Sequence, residues 1–446
     1  MKIYLVGGAV RDTLLGLASK DLDYCVVGAA PEDMLALGYT QVGADFPVFL
    51  HPETKDEYAL ARIERKNGQG YGGFDFNVSS DVTLEDDLSR RDLTINSMAM
   101  DDDGTIVDPF HGQKDLELKI LRHTTDSFKE DPLRILRICR FAARYPEFSI
   151  APETIDFMSE MVAGGELHHL TKERVWAELA KTFTELHPSR FFDYLNEVKG
   201  LEVLFPEIYE MIGVPQRQDY HAEGDVYVHT MMVMDEAAKL VQSKKLNSEE
   251  QVEIVAAALW HDVGKAKTPH ELLYHEDGSM KGHHHGHDDT DIVEPILKDV
   301  KDRLKMPNVV FKIVTDVALM HQKAHGLNAM SAKGVVRMFN KFNFKQKGGV
   351  EYLNKVLTAC HADSLGRRLL VNDKLTMPPT DYPQKDEMIE LFKSYNEVTM
   401  KSFVSEYRDK NDISPPKDII IQENHRLRLN AIKKVLKKKA PKKLKP

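Results

Sequence analysis

The stretch Met1–Asp23, MKIYLVGGAVRDTLLGLASKDLD, constrains this chain more than any other part of it. It opens on an apolar run, Ile3 to Val6, that reads as a buried strand. Gly7-Gly8 breaks the run, and Val10 to Leu15 carries a short helical pattern that Gly16 can stop as a C-terminal cap. The chain then returns as a second strand carrying Asp21 and Asp23. Residues two apart on a strand share a face, so these carboxylates point the same way, roughly 7 Å apart at the backbone. A turn without Cβ atoms admits phosphate to backbone N–H groups, and a helix N-terminus favours an anion. Arg11 adds a cation one turn further in. A phosphate cradle beside a carboxylate pair is what Mg²⁺-dependent nucleotidyl transfer needs, because the acids hold the metal that bridges triphosphate and attacking hydroxyl. Taken singly, a Gly-Gly turn and a DxD pair are common. Together in strand–turn–helix–strand order, they favour nucleotide chemistry over a solvated Asp pair.

With 446 residues the chain has room for two to four domains, each with a core of its own. Its apolar runs fall short of the ~20 residues that span a bilayer, and the N-terminus shows no signal-peptide pattern. Cys25, Cys139 and Cys360 are few, odd in number and widely spaced. The expectation is a cytoplasmic protein with no membrane contact, its thiols serving as small core residues. The net charge of −10 argues against a whole-surface nucleic-acid binder but leaves room for a local basic groove. At the far end, Lys433, Lys434, Lys437, Lys438, Lys439, Lys442, Lys443 and Lys445 form a like-charge run. Such a run is expected to be a disordered tail, with contact to RNA phosphates as its functional option.

Between these ends, residues 67–73 (NGQGYGG) are too glycine-rich for regular structure and suit a lid over a nucleotide as well as a long hairpin. Thr83 and Asp86 resemble a capping box that opens a helix delivering Arg90-Arg91-Asp92. Those arginines suit surface ion pairs or a second clamp on the triphosphate. Residues 98–108 read as a hairpin. Asp131-Pro132 marks a helix start, with Asp as N-cap and Pro at the first helical position. Along this helix Arg134, Arg137, Arg140 and Arg144 form one stripe, while Leu133, Leu136 and Phe141 serve the core. Stacked cations repel unless an anion lies between them, and no Glu occurs from Leu133 to Tyr145. That favours a phosphate- or base-facing stripe. The chain stays helical in character to Asp219, after which histidines accumulate: His229 in an apolar helix, His261-Asp262, the HHHGH run at 283–287, His321, His325, and finally Asp363. Beyond about Leu375, PPTDYP and ISPPK suggest looser connections before a last basic helix around 423–439.

At this point the motifs point to a family. GGAVRD at 7–12, KDLD at 20–23, RRDLTINSMA at 90–99, VDPFHG at 107–112, EDPLRILRICRFAAR at 130–144 and ERVWAEL at 173–179 closely resemble bacterial class II CCA-adding tRNA nucleotidyltransferases. The later VHT, HDVGK, HHHGH and HADSLGR resemble the fused HD phosphohydrolase domain of the multifunctional CCA proteins of Gram-negative bacteria. The resemblance implies an α+β fold: a polymerase-β-like nucleotidyltransferase head with a mixed sheet, followed by all-α neck, body and HD domains. The expected division is a head at 1–125, a helical neck and body at 126–220, an HD domain at 221–370, and a helical tail at 371–446. The Lys-rich end departs from the family's pattern.

What the resemblance implies for function is addition of C, C and A to tRNA 3′ ends from CTP and ATP, without a nucleic-acid template. It also implies phosphatase, 2′-nucleotidase and 2′,3′-cyclic phosphodiesterase activity for the HD part. Asp21 and Asp23 would hold Mg²⁺; Gly8, Arg11 and Arg91 would contact the nucleotide's phosphates or sugar; Arg137 and Arg140 would bind nucleotide from the neck helix. Asp131 and Arg134 would be the protein template, a role that obeys simple chemistry. Cytosine and adenine both offer an exocyclic amino donor beside a ring-nitrogen acceptor. Carboxylate only accepts and guanidinium only donates, so the pair fits both bases. Uracil and guanine present the reverse order and would leave both protein groups unpaired, which is costly in a closed pocket. For the HD part, His229, His261, Asp262 and Asp363 would surround Ni²⁺ or another divalent transition metal. His287 and His321 are candidate partners of a substrate or second metal, and His283, His284 and His285 are expected to be exposed. A monomer or homodimer is expected. The rival reading is a poly(A) polymerase of the same superfamily, which shares the head and neck motifs; the HD segment speaks against it.

Overall fold

A computed structural model describes residues 1–19, 22–42, 48–66, 74–77, 81–283, 287–371 and 374–439, without the side chains of 63–66, 74–77 and 439. Asp21, the glycine-rich residues 67–73, His284 and His285 lie outside the described residues. The chain divides into two compact units, Met1–Pro206 and Glu207–Pro446.

The first unit begins with strands β1 (Lys2–Val6), β2 (Asp23–Val27), β3 (Thr40–Val42), β4 (Val48–Leu50), β5 (Glu57–Leu60), β6 (Ile63–Lys66), β7 (Phe74–Asn77), β8 (Ala99–Met100) and β9 (Ile106–Val107). Seven of them form a mixed sheet in the order β3-β4-β5-β2-β1-β8-β9. The β2–β5 pair is parallel and its neighbours are antiparallel. Strand periodicity sorts β2 onto two cores. Cys25 packs with Val6, Leu88 and Ala99 on one face, and Val26 with Met34, Phe49 and Leu60 on the other. Asp23, two residues before Cys25, therefore belongs to the face covered by the helix Leu84–Ser89. That helix starts at the expected capping box: Thr83 Oγ1 accepts the Asp86 N–H at 3.1 Å, and the Asp86 carboxylate accepts the Thr83 N–H at 3.0 Å. The expected hairpin is β8–β9.

The neck helix, Leu133–Arg144, buries Ile135, Leu136, Ile138, Cys139 and Ala142, and packs against the helices Lys172–Thr182 and Ser189–Glu197. Its arginine stripe corrects the sequence reading. Arg137 Nε donates to Asp92 at 2.8 Å, Arg140 lies between Glu178 (2.7 Å) and Glu185 (3.3 Å), and Arg144 is 3.7 Å from Asp12. The neutralising acids come from other elements, so a scan along the helix cannot see them. Arg140 and Glu178 are both buried. Removing one partner of a buried ion pair leaves the other as an uncompensated charge. Glu178→Ala is thus expected to destabilise this unit by roughly 3–5 kcal/mol. Denaturation followed through Trp176, in a Trp260→Phe background, would register it; an unchanged midpoint would show that Arg140 is solvated instead.

In the second unit the helices Val226–Ser243, Ser248–Trp260, Asn308–His325 and Gly349–Leu365 pack around Met234, Leu259, Trp260, Met320 and Leu353. After Leu375 the expected connections PPTDYP and ISPPK lead into the helices Pro383–Glu397 and Lys417–Lys439, with Lys401–Asn411 between them, and the last is the expected basic helix. The disordered tail expected of the lysine run needs correction over residues 433–438. Lys433, Lys434, Lys437 and Lys438 sit on the last of these helices, exposed, while Ile432 and Val435 next to them are buried. Two apolar residues three apart are enough to seat the turn on the helices Ala332–Phe342 and Pro383–Glu397, where Arg428 also stacks over the Tyr395 ring at 4.1 Å. Among the described residues no helix is long and apolar enough to cross a membrane.

Candidate functional site

In the first unit the chain leaves β1 at Gly7 with φ +69°, a conformation L side chains rarely adopt. A Cβ on Gly7 would lie 2.8 Å from Arg91 Nη1, so a guanidinium lies over a turn that its positive φ reserves for glycine. Gly8 abuts Arg11 in the same way, at 3.4 Å from Nη2. Arg11 itself is buried. It donates to Asp12 Oδ1 through Nε (2.9 Å) and Nη2 (2.8 Å), and to Asn96 Oδ1 through Nη1 (2.5 Å), with the rings of Phe141 and Tyr145 against its face. It therefore ties the turn to the neck helix.

Arg90 and Arg91 share one acid, donating to Asp87 at 2.6 and 3.1 Å. Burial favours the neutral form of Asp87, but the two guanidinium groups outweigh it and hold the carboxyl down at about 2. Arg91 Nε is buried with no hydrogen-bond partner among the described residues. The Cys25 thiol lies within the field of Asp87, Arg91 and Arg90, and burial pushes it up to about 12. Exposed Asp23 is two residues away on the same strand face. The structure thus brings Gly7, Gly8, Arg91 and Asp23 to one side of the sheet. Next to them Asp92 accepts from Arg137 Nε (2.8 Å) and Asn96 Nδ2 (3.0 Å). Burial opposes its ionisation, yet Arg137 and Asn96 keep its carboxyl well below the usual range.

The two template candidates are oriented by neighbours. Asp131 Oδ1 accepts the Leu133 N–H at 3.1 Å, as an N-cap would, and Oδ2 takes Arg174 Nη2 at 2.6 Å. Arg134 donates from Nη1 to the Ser127 carbonyl (2.7 Å) and from Nη2 to the Arg90 carbonyl (2.5 Å), which sets its guanidinium beside the head arginines. Sequence reasoning missed Arg174 and Glu178 as partners, although both stand in the ERVWAEL stretch.

The second unit gathers histidines from three helices and a loop. His229 comes from Val226–Ser243, His261-Asp262 follow Ser248–Trp260, His321 comes from Asn308–His325, Asp363 from Gly349–Leu365, and His287 precedes Thr290–Leu304. His229 Nε2 is 3.2 Å from Asp363 Oδ1, and His261 Nε2 is 3.1 Å from Asp262 Oδ2 and 3.9 Å from Asp363 Oδ1. His229, His261, Asp262, His321 and Asp363 are all buried. Backbone carbonyls fix two rings: His261 Nδ1–H donates to Ala258 (2.7 Å) and His321 Nδ1–H to Val317 (3.0 Å), so their Nε2 lone pairs face the centre. Glu223 does the same for His229, accepting its Nδ1–H at 2.9 Å as well as that of His221 at 2.9 Å. Burial disfavours ionisation of Glu223, but the two imidazole hydrogen bonds bring it down to about 2. On the far side His325 donates to Asp363 Oδ2 at 2.6 Å. Burial would raise Asp262 and Asp363; His261 and Lys265 around the first, and Arg367 and His325 around the second, hold both well below the usual carboxylate range. His261 Nε2 and Asp262 Oδ1 are nonetheless buried without a well-formed hydrogen bond. Buried imidazole and carboxylate donors in one cluster, two of them without a hydrogen bond among the described residues, are what a borderline divalent metal fits.

A cleft of about 320 Å³ opens beside this centre, lined by Arg217, His221, Lys265, Lys281, His287 and Arg367 among others. Its cations suit a phosphate group. His283 corrects the expectation of exposure: it is buried, donating from Nε2 to the Pro215 carbonyl (2.8 Å) and facing Thr268 Oγ1 through Nδ1 (3.0 Å). Both ring nitrogens are satisfied, and burial lowers its pKa. Glu223 carried no sequence signal beyond its place two residues after His221.

Residues 3–122 match the poly A polymerase head domain, 147–211 a probable RNA and SrmB-binding site of polymerase A, and 226–368 the HD domain. The multifunctional CCA protein of Shewanella frigidimarina is 44% identical over 407 residues, which cover 91% of this chain and 92% of that protein. The protein of the same name from Dechloromonas aromatica is 49% identical over 82% of this chain and 84% of its own length. Among solved structures, an apo CCA-adding enzyme matches with TM-score 0.64 at 20% identity, covering 98% of this chain and 91% of the other. The Thermotoga maritima CCA-adding enzyme complexed with tRNA matches with TM-score 0.58 at 19% identity, covering 98% and 90%. The fold is that of CCA-adding enzymes, and by its sequence the chain belongs to the family of multifunctional CCA proteins.

Proposed function

We propose that this protein adds C, C and A to the 3′ end of tRNA from CTP and ATP without a nucleic-acid template, and that its HD part hydrolyses phosphoesters as a phosphatase, 2′-nucleotidase and 2′,3′-cyclic phosphodiesterase. The observation that carries the reading is that 44% identity to a multifunctional CCA protein runs through both units rather than one. The working division is a head at 1–125, neck and body at 126–220, HD domain at 221–370 and tail at 371–446.

In the head, Asp21 and Asp23 are assigned to Mg²⁺, for which carboxylate oxygens are suitable hard donors. Bound there, the ion would supply charge neutralisation on the triphosphate and acidify the attacking hydroxyl. Gly7 and Gly8 let phosphate oxygens approach the backbone. Arg91, whose Nη1 lies over the Gly7 turn, offers its guanidinium to them. Arg11 acts on the same turn from behind, through Asp12 and Asn96. Arg137, a third exposed, is the neck cation assigned to the nucleotide; buried Arg140 helps by pinning the neck helix to Glu178 and Glu185.

Asp131 and Arg134 are assigned to the base edge, with Arg174 as the residue that aims Asp131. A carboxylate carries about four lone-pair sites, so the two bonds Asp131 makes inside the protein leave room for an amino group. Arg134→Ala is expected to cost C/A over U/G discrimination by roughly 1–3 kcal/mol per base while tRNA affinity changes little. Competition of UTP with CTP in single-turnover incorporation checks this, and unchanged rejection of UTP would count against the template role.

In the HD part, His229, His261, Asp262 and Asp363 are assigned to Ni²⁺ or another divalent transition metal, which would supply Lewis acidity and a lowered water pKa. Lys265, Arg217, Lys281 and Arg367 would receive the phosphate. The poly(A) polymerase alternative draws on the head match. Incubation with an oligo(A) primer separates the two, since long untemplated A tails would replace CCA addition.

A further inference from the structure

We infer that Tyr382, in the C-terminal region, is a positioning residue of the HD centre: its hydroxyl donates to His325 Nδ1, which places the His325 proton on Nε2 and so aims the Asp363 carboxylate. This role rests on the metal-phosphohydrolase reading above. It adds to that reading a residue beyond positions 226–368, the part of the chain that matches the HD domain.

Asp363 divides its two oxygens between different neighbours. Oδ1 faces His229 Nε2 (3.2 Å), His261 Nε2 (3.9 Å) and Arg367 Nη2 (3.6 Å). Oδ2 takes His325 Nε2 at 2.6 Å. The imidazole therefore holds one oxygen and leaves the other to the ligand cluster. A neutral imidazole has one N–H, so donation through Nε2 requires a bare lone pair at Nδ1. The Tyr382 hydroxyl lies 3.0 Å from that nitrogen. A phenol is protonated at neutral pH and can donate to it. The bonds then run in one direction, from phenol to imidazole to carboxylate, with each donor matched to an acceptor. Without the hydroxyl the ring proton is free to sit on Nδ1, and Nε2 would turn a lone pair on Asp363 Oδ2. Partners of this outer kind fix the orientation of a ligating group and contribute to metal affinity.

Tyr382 is buried, and its segment is fastened to Gly349–Leu365, the helix that carries Asp363. The Tyr382 ring stacks on His361 at 5.4 Å with 8° between the planes. The Thr380 carbonyl accepts from His361 Nε2 at 3.1 Å, and Lys385 Nζ donates to Thr358 Oγ1 at 2.9 Å. The ring also meets His325 edge-on at 5.6 Å. None of these contacts uses the phenol oxygen, so Tyr382→Phe removes the bond to His325 and keeps the packing.

The test is made on the full chain carrying Asp21→Ala and Asp23→Ala, which silences the head carboxylates. Co²⁺ is titrated in, and its dissociation constant and visible absorption are measured with and without Tyr382→Phe. The pair is repeated in a His325→Ala background, and the melting transition of each metal-free protein is recorded. Tyr382→Phe is expected to weaken Co²⁺ binding roughly tenfold and to alter its absorption at an unchanged melting temperature. Once His325 is Ala, the same substitution should have no further effect. Equal Co²⁺ affinity with and without the hydroxyl would overturn the positioning role and leave the metal reading standing. Losses that add in the combined variant would overturn it too, because Tyr382 would then act by a route other than His325. Weaker binding that comes with a lowered metal-free melting temperature would reduce Tyr382 to a packing residue. A parent chain that binds no Co²⁺ would overturn the metal reading and the positioning role together.

Discussion

Asp23→Ala is expected to lower nucleotide addition by roughly a thousandfold or more, the loss of several kcal/mol of metal-mediated charge stabilisation, while phosphoester hydrolysis is unchanged. Asp23 is exposed at the first position of β2, and the core of that strand face is made by Cys25 and Val6 beyond it. The substitution therefore removes a ligand without opening a cavity, and a folded, inactive head is the outcome to look for. Asp21→Ala should behave alike. Incorporation of labelled CTP measures one activity and hydrolysis of a 2′,3′-cyclic nucleotide the other. Loss of both in a protein that retains its circular dichroism and its melting transition would contradict two separate sites.

Asp262→Ala should give the mirror image, with phosphoester hydrolysis abolished and CTP incorporation retained. Here the structural consequence must be separated from the chemical one. Asp262 is buried and is the anionic partner of buried Lys265, so its removal strands a positive charge at a cost of about 3–5 kcal/mol. Asp262→Asn keeps the volume and a partial acceptor for Lys265 while losing the anionic donor, and should be as inactive with less loss of stability. The signature is hydrolysis lost in both variants and a melting temperature depressed more in Ala than in Asn. Hydrolysis that survives in Asp262→Asn would exclude a metal-ligand role for this residue.

The head was legible because its logic is local. A strand, a Cβ-free turn, a short helix and a second strand lie consecutively, and the capping box at Thr83 needs only three residues. The start of the neck helix was legible for the same reason, since Asp131-Pro132 acts on the next turn. What depends on distant partners was not. The arginine stripe reads as unneutralised along the helix, and its acids arrive from Asp92, Glu178, Glu185 and Asp12. His283 belongs to a histidine run that looks solvated, and only the fold brings Pro215 and Thr268 to its two nitrogens. Glu223 aims His229 from the segment before its helix, a contact no period or spacing announces. In the lysine run charge density suggested a disordered tail, but over residues 433–438 the burial of Ile432 and Val435 favours the basic helix that the sequence also suggested. The four residues proposed as HD ligands do come close: His229, His261 and Asp363 form one group, with Asp262 Oδ2 3.1 Å from His261 Nε2, because they lie on or next to helices that pack as neighbours.

What the head adds to a tRNA end decides the protein's function. The most direct measurement offers the purified protein a tRNA that ends before its CCA, with all four nucleoside triphosphates present, and sequences the new 3′ ends. The account predicts C, C and A, in that order and no further, with UTP and GTP excluded. Homopolymeric A tails, incorporation of U or G, or extension past the final A would contradict it.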